Sequence, residues 1–352
     1  VLFSRSKPVV GLDIGSSAVK AIELKVSGRG FKVVAMGVEP VPPDSIVDGA
    51  IIDASAVTDA VRRVLQSPRF KAKDVVASLS GSSVIVKKIS LPVMSDDDLN
   101  QSIQWEAEQY IPFDIQDVNL DYQILTPVAQ RQGSMEVLLV AAKKDKIADY
   151  TGVISAVGRK TVVVDVDAFA LQNAFETNYG IEPGRVVALV NAGASATNIN
   201  LVCDGTSLFT RDVGIGGNAF TEAIQKELGL PFDGAEDAKK GMPVDGVRAD
   251  DLRPVLHAVM DNVLLEIEKT FDFFKATSSS DRIDRVIVSG GGSLVQHFEQ
   301  ALRERLGVEV ERFDPFKAVS IDPAALQSGS AADYAPLCAV ALGLALRKGG
   351  DR

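Results

Sequence analysis

A chain of 352 residues exceeds what one hydrophobic core usually serves, so two or more domains are expected. With 46% hydrophobic residues, 24% charged residues and a net charge of −10, it reads as a folded acidic protein, a poor nucleic-acid binder with no basic stripe interleaved with aromatics. Two cysteines and two histidines are too few for a disulfide framework or a Cys/His metal cluster and give no signal of a Ser–His–Asp triad; no apolar run reaches 18 residues, and the start is too short for a secretory signal, so a reducing cytoplasm is expected.

In chain order, residues 8–41 read as three strands, PVVGLDI, AVKAIELK and FKVVAMGVEPV, the last two joined by SGRG. Helical spacing of Val57, Ala60, Val61, Val64 and Leu65 predicts a helix over 53–66, and DVVASLSG a buried strand. A different unit starts near Ser82 with the strand SSVIVKKISLP. Ser95 then N-caps an acidic helix that Pro112 ends. Strands around VNLDYQIL and MEVLLVAAK follow, and a helix near 145–158 closes this unit of about 75 residues. TVVVDVD returns to the first domain and leads into a helix ending at Tyr179–Gly180, with a hinge at 182–184.

The second domain opens with VVALVNA and continues through two strands turning at Asp204–Gly205. Helices are expected at 217–229, about 232–240 and 254–276. The last carries the stripe Val255, Val259, Val263, Ile267, Phe271, Phe274, read as core. The strand RVIVSGGGS, a helix over QHFEQALRERLG, the strand VEVERF and a buried helix over YAPLCAVALGLALR complete the chain.

GLDIGSSAV (11–19) and LVNAGASAT (189–197) align without gaps. Each leaves a short apolar strand, turns at Gly15 or Gly193 through small residues, and enters a second strand. Such a duplication predicts two similar domains facing across a cleft, one turn from each gripping the same ligand. Tight Gly/Ser turns present backbone N–H groups to anions, so a nucleotide phosphate chain is the expected ligand. In the first turn, Asp13 suits Mg²⁺ through water, Gly15 admits the backbone, and Ser16 and Ser17 donate; Lys20 is either a phosphate contact or a solvated strand lysine. In the second, Asn191, Gly193, Ala194 and Ser195 take the matching places. An amide at Asn191 cannot act as a base, which argues against fast hydrolysis.

Gly290, Gly291, Gly292 and Ser293 lie between a strand and a helix, either as a tight turn or as an adenosine contact. The third glycine of a Rossmann fingerprint is missing, since residue 295 is Val, and no phosphate-loop lysine pattern occurs. Glu222 and Lys226, one helical turn apart, are either ribose and adenine contacts or a surface pair. Asp165 and Asp167 end a buried strand; one can position an attacking water, the alternative being a helix cap, and Asp165 is taken as the catalytic candidate.

LDIGSSAVK, VNAGASAT and VSGGGS, in that order, resemble the actin-like ATPase superfamily across almost the whole chain. SKPVVGLDIGSSAVKAIEL, IQWEAEQYIPFDIQDVNLDY and VDVDAFALQNAF give a finer resemblance to the PilM family of type IV pilus assembly. The resemblance implies an α/β fold of two duplicated ribonuclease H-like domains around a nucleotide cleft, with an inserted subdomain as in FtsA. Residues 1–82, 161–184 and 334–350 would form subdomain 1A and 83–160 the inserted 1C. Residues 185–218 with 277–333 would form 2A, and 219–276 would form 2B.

It further implies ATP and Mg²⁺ as cofactors, with at most slow ATPase activity. The partners would be the N-terminal cytoplasmic tail of PilN, the pilus motor ATPases and the platform proteins, with no membrane insertion. The family's tail groove lies between the first domain and the inserted unit; Tyr110, Ile111 and Phe113 are candidates for it or for core packing. The alternatives are a small-molecule kinase of the same superfamily, for which no obvious sugar-binding cluster is visible, and an FtsA-like filament-forming protein, for which LALRKGGDR behind a buried helix shows no amphipathic anchor while filament formation stays open.

Overall fold

Apolar runs on either side of the two Gly/Ser turns form the centres of two sheets in the computed structural model, which describes residues 7–28, 30–125, 133–278, 280, 282–326 and 330–348. In the first sheet β1 (Val9–Ile14), β2 (Ala18–Ser27) and β3 (Gly30–Pro40) run antiparallel. A small hairpin, β4 (Ile46–Val47) and β5 (Ala50–Ile51), precedes helix α1 (Ala54–Val64), whose N-terminus is capped by Asp53 accepting from Ala56 N. β6 (Asp74–Leu79) then lies parallel to β1.

The chain next builds a separate three-stranded sheet from β7 (Val84–Pro92), helix α2 (Asp96–Glu108), β8 (Val118–Ile124) and β9 (Ser134–Lys143), in the order β7–β9–β8. Its core joins Leu99, Ile103 and Ala107 of α2 to Val137, Leu139 and Ala141 of β9. Helix α3 (Lys144–Ala156), strand β10 (Lys160–Val166), parallel to β6, and helix α4 (Asp167–Tyr179) follow.

The second sheet repeats the plan. β11 (Val187–Ala192), β12 (Thr197–Cys203) and β13 (Thr206–Val213) are antiparallel. After helices α5 (Gly217–Leu228), α6 (Phe232–Lys239) and α7 (Ala249–Thr277), β14 (Arg285–Ser289) lies parallel to β11. Helix α8 (Phe298–Leu306) leads to β15 (Glu309–Arg312), parallel to β14. β16 (Ser320–Ile321) joins the β3 edge of the first sheet, and α9 (Ala331–Tyr334) and α10 (Ala339–Ala345) end the described chain. The orders β10–β6–β1–β2–β3 and β15–β14–β11–β12–β13 are the same arrangement twice.

α4 and α10 sit between the sheets. One apolar cluster holds Ile22 and Met36 of the first sheet, Leu171 and Phe175 of α4, Ala341 and Leu342 of α10, and Leu189 and Ile287 of the second sheet. The approach is close enough that a Cβ on Gly343 would overlap the Ala170 carbonyl, and one on Gly11 the Ala341 carbonyl. Asn200, buried on β12, donates to the Ala168 carbonyl at 2.9 Å and pins α4 to the second sheet.

Several expectations shift. The helix near 145–158 forms as α3, but its Tyr150, Val153 and Ile154 pack with Val57 and Val61 of α1, so it serves the first domain's core and not the inserted unit. The long helix begins at Ala249, five residues upstream of the expected start, and carries Pro254 inside it. The final helix is broken: α9 and α10 flank a 3₁₀ turn at Ala335–Leu337 containing Pro336, which has no N–H to continue an α-helix. The short strands β4, β5 and β16 have no periodic signal. Most of the segment between β8 and β9 falls outside the described residues.

Candidate nucleotide cleft

The two turns close identically. Gly15 N donates to Ala18 O at 3.1 Å, and Gly193 N donates to Ala196 O at 2.9 Å. They meet across the cleft, Ser16 Oγ lying 2.9 Å from Ser195 Oγ. Both line one cavity of about 570 Å³, together with Asp13, Ser17, Lys20, Asn191 and Ala194. Nine of the proposed phosphate contacts are thus brought together, drawn from positions about 180 residues apart in sequence.

Asp13 ends β1 and pairs in register with Lys20 of β2; their Oδ2 and Nζ are 3.2 Å apart and each side chain is 13% exposed. Asn191 and Asn198 occupy the same two places in the second sheet, joined by Asn191 Nδ2 donating to Asn198 Oδ1 at 3.2 Å. Asn198 Nδ2 donates in turn to Asp212 Oδ1 at 2.7 Å. Among the described residues there is no ready cluster of metal ligands. Asp13 is the carboxylate whose position suits a hydrated cation, since Mg²⁺ keeps most of its waters and needs few protein oxygens.

Of the two strand-end aspartates, Asp167 and not Asp165 lines this cavity. Asp165 lies 3.4 Å from Arg347 and borders a different groove. The strand ends at Val166, so Asp167 begins α4 and its side chain no longer follows strand alternation. Ser78 Oγ donates to Asp167 Oδ1 at 2.5 Å. Burial first, and then the neighbouring Asp13 carboxylate, push the Asp167 pKa up to about 6. A carboxyl poised there, next to the phosphate turns, has the properties of a group that orients or accepts a proton from water.

The adenosine candidates divide. Gly290 and Gly291 line the cavity beside Leu337, while Gly292 and Ser293 are buried behind them, Ser293 Oγ donating to Gly290 O at 2.7 Å. Gly290 adopts φ 84° and its N–H donates to Pro336 O at 2.7 Å; a Cβ there would overlap the Ala192 carbonyl, so glycine is required. Glu222 and Lys226 are exposed on α5 and are not among the lining residues; Lys226 is 83% exposed and lies 3.9 Å from Glu227. The buried lysine of this region is Lys239 of α6. Its Nζ donates to Thr221 Oγ1 at 2.8 Å and pairs with Glu236, at the base of α5. Burial lowers its pKa and the Glu236 carboxylate opposes that. Nothing in the sequence separates Lys239 from its exposed neighbour Lys240.

Tyr110, Ile111 and Phe113 pack in the core of the inserted unit, with Lys87 over Tyr110 and Lys143 over Phe113 at 5.4 and 4.4 Å from the ring centroids. The groove between inserted unit and first domain is elsewhere. It encloses about 740 Å³ and is walled by Tyr122, Leu138 and Val140 of the inserted sheet and by Val163, Phe169 and Glu176 of β10 and α4. β8 and β10, the edge strands of their sheets, both border it.

Comparison with known proteins identifies the fold and the family. A chain solved as part of a "PilM-PilN type IV pilus biogenesis complex" is 31% identical, with a TM-score of 0.85, covering 98% of this chain and 99% of that one. The ethanolamine utilization protein EutJ from Carboxydothermus hydrogenoformans has the same fold at 16% identity and a TM-score of 0.59, covering 97% and 90%. MreB5 of Spiroplasma citri, solved bound to AMPPNP, does so at 14% identity and a TM-score of 0.53, covering 96% and 95%. The duplicated architecture is therefore the actin-like ATPase fold with the additional inserted sheet. A family model described as type IV pilus assembly protein PilM matches residues 11–349, spanning both sheets and the inserted unit, and the chain belongs to the PilM family.

Proposed function

We propose that this protein binds Mg-ATP between its two phosphate turns and holds the cytoplasmic tail of PilN in the groove between β8 and β10, acting as an adaptor at the inner-membrane platform of the pilus. The observation that carries the nucleotide reading is the meeting of Ser16 and Ser195 at one cavity, each on a Gly-closed turn of the small-residue kind that binds anions. The solved PilM–PilN complex and the open groove support the tail. The two edge strands there suit an extended peptide that adds as a strand, with side-chain pockets between Val140, Val163 and Phe169. Asp121 and Glu176 on its wall favour a basic residue in that peptide.

Turnover in the cleft is slow in this reading. Asn191 stands where a second carboxylate would assist a metal or a base, leaving Asp167 alone to orient water. Bound at the cytoplasmic face through PilN, the adaptor would present its remaining surface to the motor ATPases and platform proteins. Calorimetric titration of a synthetic PilN tail into the full chain, with and without Mg-ATP, tests the proposal. Micromolar or tighter tail binding with separate saturable nucleotide binding is expected; a chain that binds neither sinks it.

A further inference from the structure

At one register position of the second sheet, four neighbouring strands all carry short polar side chains. Ser289 of β14 faces Asn191 of β11, Asn191 faces Asn198 of β12, and Asn198 faces Asp212 of β13. Paired positions project to one face, so these side chains form a row across the sheet. The row is bonded throughout. Ser289 Oγ donates to Asn191 Oδ1 at 3.2 Å, and Asn191 and Asn198 pass the chain on to Asp212 Oδ1. The other carboxylate oxygen, Oδ2, accepts the backbone N–H of Gly81, in the opposite domain. Each amide uses its oxygen on one side and its nitrogen on the other. Flipping Asn198 would turn its carbonyl toward a carboxylate, so the charge of Asp212 sets the direction of the whole row.

Gly81, at φ 76°, opens the single turn Gly81–Ser83 that runs into β7, the first strand of the inserted unit. Asn191, Asn198 and Asp212 line the nucleotide cavity from one side; Gly81, Val84 and Ile85 line it from the other. β7 pairs along its length with β9, and β9 with β8, the strands that wall the peptide groove. A continuous set of bonded groups therefore joins the two cavities, and Asp212 is its one contact between domains that carries a charge.

We infer that Asp212 couples the cavities: polyphosphate entering the cleft repels its carboxylate, frees the Gly81 N–H, and lets the inserted sheet turn on the 81–83 segment, altering the groove. The inference rests on the nucleotide and PilN-tail readings above. Asp212 acts here as a positioning residue, through Gly81.

The test compares the tail's Kd in the nucleotide-free chain and at saturating Mg-ADP, for wild type, Asp212→Ala and the isosteric Asp212→Asn. Hydrogen exchange of residues 81–92 is followed in each state. In wild type the nucleotide should shift the tail's Kd about tenfold, within the usual range for coupled sites, and raise exchange across 81–92. Asp212→Asn keeps an acceptor for Gly81 without the charge, so exchange should stay low with or without nucleotide. Asp212→Ala should be high in both states. In both variants the Kd ratio should fall below about twofold. A variant that keeps the tenfold ratio, or nucleotide-dependent exchange in Asp212→Asn, overturns the inference. A wild type that binds both ligands with a ratio of one overturns it alone, whereas a wild type that binds neither removes the underlying function as well.

Discussion

The two halves of the cleft have the same backbone and different chemistry. Gly15 and Gly193 close the same turn with the same N–H to carbonyl bond two residues past the serine or alanine that follows. The flanking register pair is Asp13 with Lys20 in the first sheet and Asn191 with Asn198 in the second. The turn fixes where an anion can sit; the strand ends on either side decide what that half does with it. The charged half can recruit a cation and balance phosphate. The amide half can only relay hydrogen bonds, and it ends in a cross-domain contact instead of a metal site.

Making the halves alike is the strongest way to break this comparison. Asp13→Asn should lower nucleotide affinity in Mg²⁺ about 100-fold, or about 2.7 kcal/mol, and remove most of its dependence on Mg²⁺, as read by calorimetry with and without chelator. An unchanged Mg²⁺ dependence would show that the cation is held elsewhere. The turns themselves should differ in their tolerance of a methyl group. A Cβ at Gly193 comes 2.8 Å from the Ala196 backbone oxygen, whereas one at Gly15 comes 2.8 Å from the movable tip of Lys20. Gly193→Ala should therefore cost about 2 kcal/mol in urea unfolding and Gly15→Ala under about 1 kcal/mol. Equal costs would mean that Lys20 is held as rigidly as backbone.

The smallest effect concerns the acid at the cleft floor. Asp167 titrates at about 6 when folded against 3.8 ordinarily, so the folded state prefers it protonated. Its ionisation costs stability progressively as pH rises from about 4 to 6 and fully above that. Asp167→Asn keeps the acceptor for Ser78 and should recover part of the roughly 3 kcal/mol that such a shift represents, about 1–2 kcal/mol at pH 7.5, a gain that fades away below pH 4. Thermal unfolding across that range reads the sign directly, and a gain independent of pH would rule out charge as its cause.

The sequence was most readable where local rules act alone. The phosphate turns needed only glycine between short apolar strands, and the long helix stripe from Val263 to Phe274 is buried as its spacing requires, save that Val255 and Val259 are only partly covered. Misreadings arise where tertiary packing or register intervenes. Asp165 and Asp167 share a parity, and only the switch from strand to helix at Val166 sends one to the groove and the other to the cleft. The Asp204–Gly205 turn by itself would pair Asn198 with Arg211. A bulge between Leu201 and Val202 slips the register by one and puts Asp212 opposite Asn198. Glu222 and Lys226 have helical spacing, but α5 turns that face to solvent. No property of a Lys–Lys pair marks Lys239 as the buried member.

The helix α10 between the sheets has a consequence for how this molecule is made. β1 leaves the ribosome well before α10, yet the face that carries Gly11 is covered by residues 339–345, more than 320 positions later. Until they arrive, the first sheet must wait with that apolar face bare, and no N-terminal fragment can complete its own core. Closing so long a loop is slow and exposes sticky surface meanwhile. The nascent chain should therefore depend on holding factors until α10 has emerged, and its two halves should lock together only at that step.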